Sequence, residues 1–112
     1  MKVGIIEYGG DLNKIFQDEV AKQIETISFQ AKKTLDLLDV LAFAKKMVDL
    51  DQLVIIANTD EISDRELDAF YDGLAVFEAE TGKNIFKCIY KEEEGGETLV
   101  KELAAAFVKA VC

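Results

Sequence analysis

The chain has 112 residues, half of them hydrophobic, with 22 acidic against 13 basic side chains and a net charge of −9. That length leads us to expect one domain with a single core, and the acidity disfavours duplex DNA or an anionic membrane as a partner. His is absent altogether, which removes Ser-His and Cys-His catalysis and His-ligated metals, and the apolar runs are too short to span a membrane.

Met1-Lys-Val-Gly-Ile-Ile6 enters an apolar run at once, without the longer hydrophobic stretch and small-residue cleavage site of a signal peptide. A cytoplasmic location is the expectation. Lys2 to Glu7 reads as a continuously apolar strand, followed by the turn Tyr8-Gly9-Gly10-Asp11. A first helix then carries Leu12, Phe16, Val20 and Ile24 at every fourth residue, with Asp11 as its expected N-cap. Thr26 to Gln30 alternates apolar with polar and reads as a half-exposed second strand.

A second helix is expected from Thr34 to Val48, with Leu37, Val40, Leu41, Ala44, Met47 and Val48 on one face. Leu35, Leu38 and Ala42 add a second apolar strip. That is more apolar surface than one sheet contact covers, so the helix over 34–48 is the expected contact of a homo-oligomer. Leu53 to Ala57 is apolar on both faces, the pattern of a central third strand. Ser63 and Glu66 form a capping box for a third helix bearing Leu67, Phe70, Leu74 and Phe77, and Thr81-Gly82 ends it.

Ile85 to Tyr90 is the fourth strand, marked as an edge by Lys87. The acidic stretch Glu92 to Glu97 reads as a flexible loop before a last helix over Thr98 to Val111, which buries Val100, Leu103, Ala104, Phe107 and Val111. Cys88 falls inside the fourth strand and Cys112 at the terminus, a pair too few and too far apart for a disulfide framework or a zinc site.

Four strand-helix units in succession predict a three-layer α/β/α, flavodoxin-like fold around a four-stranded parallel sheet. The two fully apolar strands belong inside and the alternating ones outside, giving the order 2-1-3-4. The topological switch then lies between strands one and three, where such sheets bind ligands beyond their carboxyl ends. Two loops meet there. Glu7, Tyr8, Gly9, Gly10 and Asp11 supply one, Asn58, Thr59, Asp60 and Glu61 the other, and all but Glu61 are the candidate ligand-binding residues.

Gly9 and Gly10 before a helix offer backbone N–H groups to an anion, or serve a tight turn that needs positive φ. Tyr8 is the candidate for stacking on a planar ring. Glu7, Asp60 and Glu61 are the candidate ligands for Mg²⁺, which favours carboxylate oxygens. The alternative for Asp60 and Asp64 is a favourable place at the start of the third helix.

Three segments resemble the lumazine synthase family and the related archaeal riboflavin synthases. Lys2 to Ile6 is similar to the family's first strand. Leu38 to Met47 with Asp51 to Ala57 is similar to its second helix and third strand, and Phe77 to Phe86 to its Glu-Thr-Gly helix end and fourth strand. The resemblance implies a lumazine-synthase-like fold and pentamers formed through the second helix. Gly10-Asp11, Lys33-Thr34-Leu35 and Asn58 to Asp64 stand where the family has an aromatic-Asn pair, a Pro-Gly-Ala turn and a loop with a catalytic His. No catalytic residue is therefore assigned, and the resemblance implies a diverged relative.

The functional expectation is an oligomeric module binding a small planar or phosphorylated ligand, without lumazine synthase chemistry. Glu7 and Asp60 also resemble the layout of a Mg²⁺-dependent Toprim phosphotransfer or nuclease domain, with Asn58-x-Asp60 in place of D-x-D. A receiver-like signalling domain is the third reading, though the fifth strand-helix unit it needs is missing.

Overall fold

The computed structural model describes residues 1–34 and 36–111; Leu35, counted in the second apolar strip, and the terminal thiol of Cys112 lie outside the described residues. The elements in order are β1 (Val3–Tyr8), α1 (Asn13–Ala21), β2 (Ala31–Lys33), α2 (Asp39–Lys46), β3 (Gln52–Asn58), α3 (Asp64–Thr81), β4 (Ile85–Tyr90) and α4 (Gly96–Val111), with a 3-10 turn over Glu92–Glu94. All strand pairs are parallel and the sheet order is β2-β1-β3-β4. The expected three-layer, flavodoxin-like α/β fold is the fold observed.

Strand alternation sorts the core into two layers. Val3 and Ile5 of β1, Val54 and Ile56 of β3 and Cys88 and Tyr90 of β4 meet Phe16 and Val20 of α1 and Val100, Ala104 and Phe107 of α4. On the opposite face Ile6, Leu53, Ile55, Ala57 and Ile85 meet Val40 and Ala44 of α2 and Phe70, Leu74 and Phe77 of α3. Edge-on packing of Phe107 against Phe16 (5.4 Å) sets α4 beside α1, and against Phe86 (5.0 Å) ties α4 to β4. The apolar pattern of β1 and β3 thus arises because both faces of the two inner strands are covered.

Several element boundaries differ from expectation, most clearly in the second strand, the start of the second helix and the stretch before the last helix. The second strand is expected at Thr26–Gln30, whereas the continuous ladder of β2 covers Ala31–Lys33. The earlier segment does run beside β1, joined by Ser28 O accepting from Val3 N and Gln30 O from Ile5 N. Its alternation is also real, with Ile27 and Phe29 half-buried and Ser28 and Gln30 exposed.

The second helix begins at Asp39 and not Thr34. The Asp36 side chain accepts from Leu38 N at 2.9 Å, and this turn holds the backbone out of the α-helical ladder until Asp39. The stretch from Glu92 to Glu97 is not a flexible loop. It forms the 3-10 turn and the first turn of α4, with Lys91 N donating to the Glu94 carboxylate at 2.6 Å. Elsewhere Ser63 caps α3 by accepting from Glu66 N, and Gly82 closes it at φ 69°. Lys87 sits on the edge strand and pairs with Glu78 of α3 at 3.6 Å. No helix among the described residues is long and apolar enough to cross a membrane.

Candidate functional site at the switch point

Glu7 is the last residue of β1 on the α1/α4 face, in line with Val3 and Ile5, and is completely buried. Its carboxylate accepts from Leu12 N at 2.5 Å and from Asn13 Nδ2 at 2.6 Å. The first turn of a helix leaves N–H groups without carbonyl partners, and here a carboxylate from the preceding strand supplies the acceptor. Asp11, the expected N-cap, does not serve as one: it is exposed, and Leu12 holds the cap position without a side-chain bond. The place at the start of α1 where an anion was expected beside Gly9 and Gly10 is met by the chain's own Glu7.

Both glycines have steric reasons to be glycine. Gly9 lies at φ 71°, and a Cβ there would press on Asn58 O at 3.0 Å. A Cβ on Gly10 would come 2.5 Å from the Tyr90 hydroxyl. On the other flank a Cβ on Gly96 would sit 2.7 Å from the Tyr90 ring. Tyr90, at the end of β4, is therefore clasped between the turn before α1 and the start of α4, with its hydroxyl directed at Gly10.

Around that hydroxyl opens a crevice of about 530 Å³. The β1–α1 turn lines it with Gly9, Gly10, Asp11 and Leu12, and the start of α4 with Gly95, Gly96, Glu97 and Thr98; Asn58, Tyr90 and Glu92 complete it. Tyr90 is only 4% exposed, and its hydroxyl meets no hydrogen-bond partner among the described residues. Burial, then the carboxylate of Glu7, then Cys88, Glu92 and Asp60 raise the phenol above its ordinary pKa, so it stays neutral. No Lys or Arg lines this crevice.

The loop after β3 is arranged differently. Thr59 is buried, and both its N–H (2.8 Å) and its hydroxyl (3.1 Å) donate to Tyr90 O. Asn58 Oδ1 accepts from Asp60 N at 2.9 Å, and the Asp60 carboxylate accepts from Glu92 N at 3.1 and 3.3 Å. These bonds stitch the end of β3 to the end of β4 and continue the ladder beyond its last residue pair.

The residues expected to form one site are thus divided. Gly9, Gly10, Asp11 and Asn58 line the crevice. Tyr8 and Asp60 lie instead on a smaller hollow of about 310 Å³, shared with Gly9, Asn58, Glu61 and Glu92. Tyr8 belongs to the α2/α3 side, where burial, then Asp36, Glu66 and Glu61, raises its phenol pKa. Glu7 and Thr59 are buried and bonded to the protein itself. The Mg²⁺ set of Glu7, Asp60 and Glu61 does not assemble: no group of three or more Asp, Glu, Cys or His among the described residues is placed to hold a metal ion. Cys88 is buried and its thiol is pushed up to about 11, chiefly by desolvation, which keeps it from acting as a thiolate.

Tyr90 and the start of α4 are the part of the site that sequence reasoning missed. The available signal was the doubled glycine Gly95-Gly96, which stands before a helix just as Gly9-Gly10 does. No protein-family model matches the chain, and no curated protein matches it in sequence.

Proposed function

We propose that the protein is a small-molecule-binding α/β module, assembled as a homo-oligomer through α2 and without lumazine synthase chemistry. The observation that carries the binding role is the Tyr90 hydroxyl. It is a donor and acceptor without a protein partner among the described residues, reaching from a side chain only 4% exposed into a crevice beyond the carboxyl ends of β1, β3 and β4, next to the switch point where doubly wound sheets bind ligands. The unpaired N–H groups of a helix start and the side chains of Asp11, Asn58 and Thr98 add polar groups on its walls.

The oligomer rests on α2. Leu37, Val40, Ala44 and Met47 are buried against the sheet, while Leu38 remains 49% exposed and Ala42 is also exposed. The second apolar strip therefore has no partner among the described residues, as a subunit contact requires. The lumazine-synthase-like resemblance favours the same helix as the contact, and cytoplasmic residence belongs to the same proposal.

The test joins three measurements on purified protein: native mass, an ultraviolet-visible spectrum for a retained chromophore, and amide chemical shifts during titration with a small-fragment set. A native mass that is a multiple of the chain mass, with fragment-induced shifts at Gly10, Gly96 and Glu97, is the expected result. A monomer at all concentrations refutes the assembly, and shifts that avoid the crevice refute the binding role.

A further inference from the structure

We propose that the ligand of this crevice is a small protonated organic amine, held by the Tyr90 hydroxyl and the carboxylates of Asp11, Glu92 and Glu97. The inference rests on the binding role proposed above and adds the chemical class of the ligand.

Charge decides the class. Helix N-termini ordinarily attract anions, and two helices start at this crevice. The first is answered internally, because Glu7 already accepts from Leu12 N and Asn13 Nδ2. The second carries Glu97 in its own first turn. What remains on the walls is negative: Asp11, Glu92 and Glu97 line the crevice without a Lys or Arg, and none of the three is in a salt bridge among the described residues. A phosphate or carboxylate in the crevice would be repelled by this negative lining, whereas an ammonium group is attracted to it.

Tyr90 supplies the second, independent indication. Its hydroxyl is the one group of a nine-tenths buried side chain that opens on the crevice with no protein partner among the described residues. The hydroxyl is reached from the crevice, so a partner for it comes from there, as water or as a polar group of a ligand. Held neutral by its surroundings, the phenol accepts one N–H of an ammonium group through its lone pairs. A bare divalent cation is a poorer fit, since no cluster of three or more metal-ligating side chains forms among the described residues.

The experiment is titration of the full chain with 1,4-diaminobutane, ribitol and inorganic phosphate at matched ionic strength, followed by amide chemical shifts and calorimetry. Saturable diamine binding with shifts at Gly10, Gly96 and Glu97 is expected. Tyr90→Phe and Glu97→Gln should each weaken it about fivefold, the loss of one hydrogen bond or ion pair. Tyr90→Phe retains the ring in the core, and Glu97→Gln changes only the surface, so either variant alone keeps the test decisive.

Binding of ribitol or phosphate at the same amides in place of the diamine overturns the amine class and leaves the binding role standing. Diamine shifts that are unsaturated, equal at the remote Asp18 and unchanged by Tyr90→Phe mark counter-ion screening and overturn it too. If no probe moves these amides, the amine class fails, and the fragment titration then decides the binding role separately.

Discussion

The two banks of the switch point are built from similar residues and differ in how completely their polar groups are paired. After β3, Asn58, Thr59, Asp60 and Ser63 each bond to backbone groups within the turn, to the end of β4 or to the start of α3. Between α1 and α4, the Tyr90 hydroxyl and the first N–H groups of α4 face a crevice instead. A run of Asn, Thr and Asp at the mouth of a parallel sheet therefore resembles a ligand loop while acting as a structural joint. On the crevice bank the side chain with unused hydrogen-bonding capacity is an aromatic residue counted among the core. Conspicuous polarity here marks where the backbone needs partners, whereas the unpaired hydroxyl sits on a residue whose ring is packed in the core.

Glu7 is the sharpest way to break the crevice bank. Replacement by Ala removes the acceptor for Leu12 N and Asn13 Nδ2 in a fully buried position. Two part-buried donors left without their acceptor, and the space left by a fully buried side chain, predict a loss of about 3 kcal/mol in unfolding free energy by denaturant titration, or a fall in Tm of roughly 10 °C. Glu7→Gln keeps one acceptor oxygen and should lose less. If Glu7→Ala unfolds like the parent chain, the carboxylate is not what anchors the start of α1.

The next effect follows from protonation. Cys88 in the folded chain is raised from 9.0 to about 11, and the phenols of Tyr8, Tyr71 and Tyr90 are raised as well. A group whose folded pKa lies above its unfolded value adds stability that is complete below the unfolded pKa and disappears as pH rises through the folded one. Stability should therefore hold up to about pH 9 and fall between pH 9 and 11, with Cys88 contributing on the order of 2 kcal/mol. Cys88→Ala should flatten the decline between pH 9 and 10 and leave the tyrosine-dependent part above it. An unchanged slope in that variant would detach the effect from the crevice side of the sheet.

These two predictions also show what was legible in the sequence. The order 2-1-3-4 followed from β1 and β3 being apolar throughout while Lys87 marks an edge. The ends of α3 followed from Ser63, Glu66 and Gly82, because those signals are local. The role of Glu7 was not legible: as a candidate metal or ligand residue it has the same sequence context as a carboxylate that caps α1 from a strand. Only the face on which it emerges separates the two. Tyr90 was hidden for a related reason, since its placement depends on Gly10 and Gly96, far apart in the chain, approaching from opposite flanks.

The smallest of these effects lies on the other bank. Asp60→Ala removes the acceptor for Glu92 N, an exposed bond with distances of 3.1 and 3.3 Å. Water can replace the lost acceptor there, so the expected cost is about 1 kcal/mol, well below that of Glu7→Ala. Ligand binding in the crevice should weaken less than twofold, because Asp60 lies on the neighbouring hollow. A large loss of binding with little loss of stability would return the site to the loop after β3. The opposite pattern, a measurable loss of stability with binding retained, is what a joint between β3 and β4 produces. Asp60→Asn keeps a side-chain oxygen that can accept from Glu92 N and should recover most of the lost stability, which separates hydrogen bonding from the removal of one negative charge.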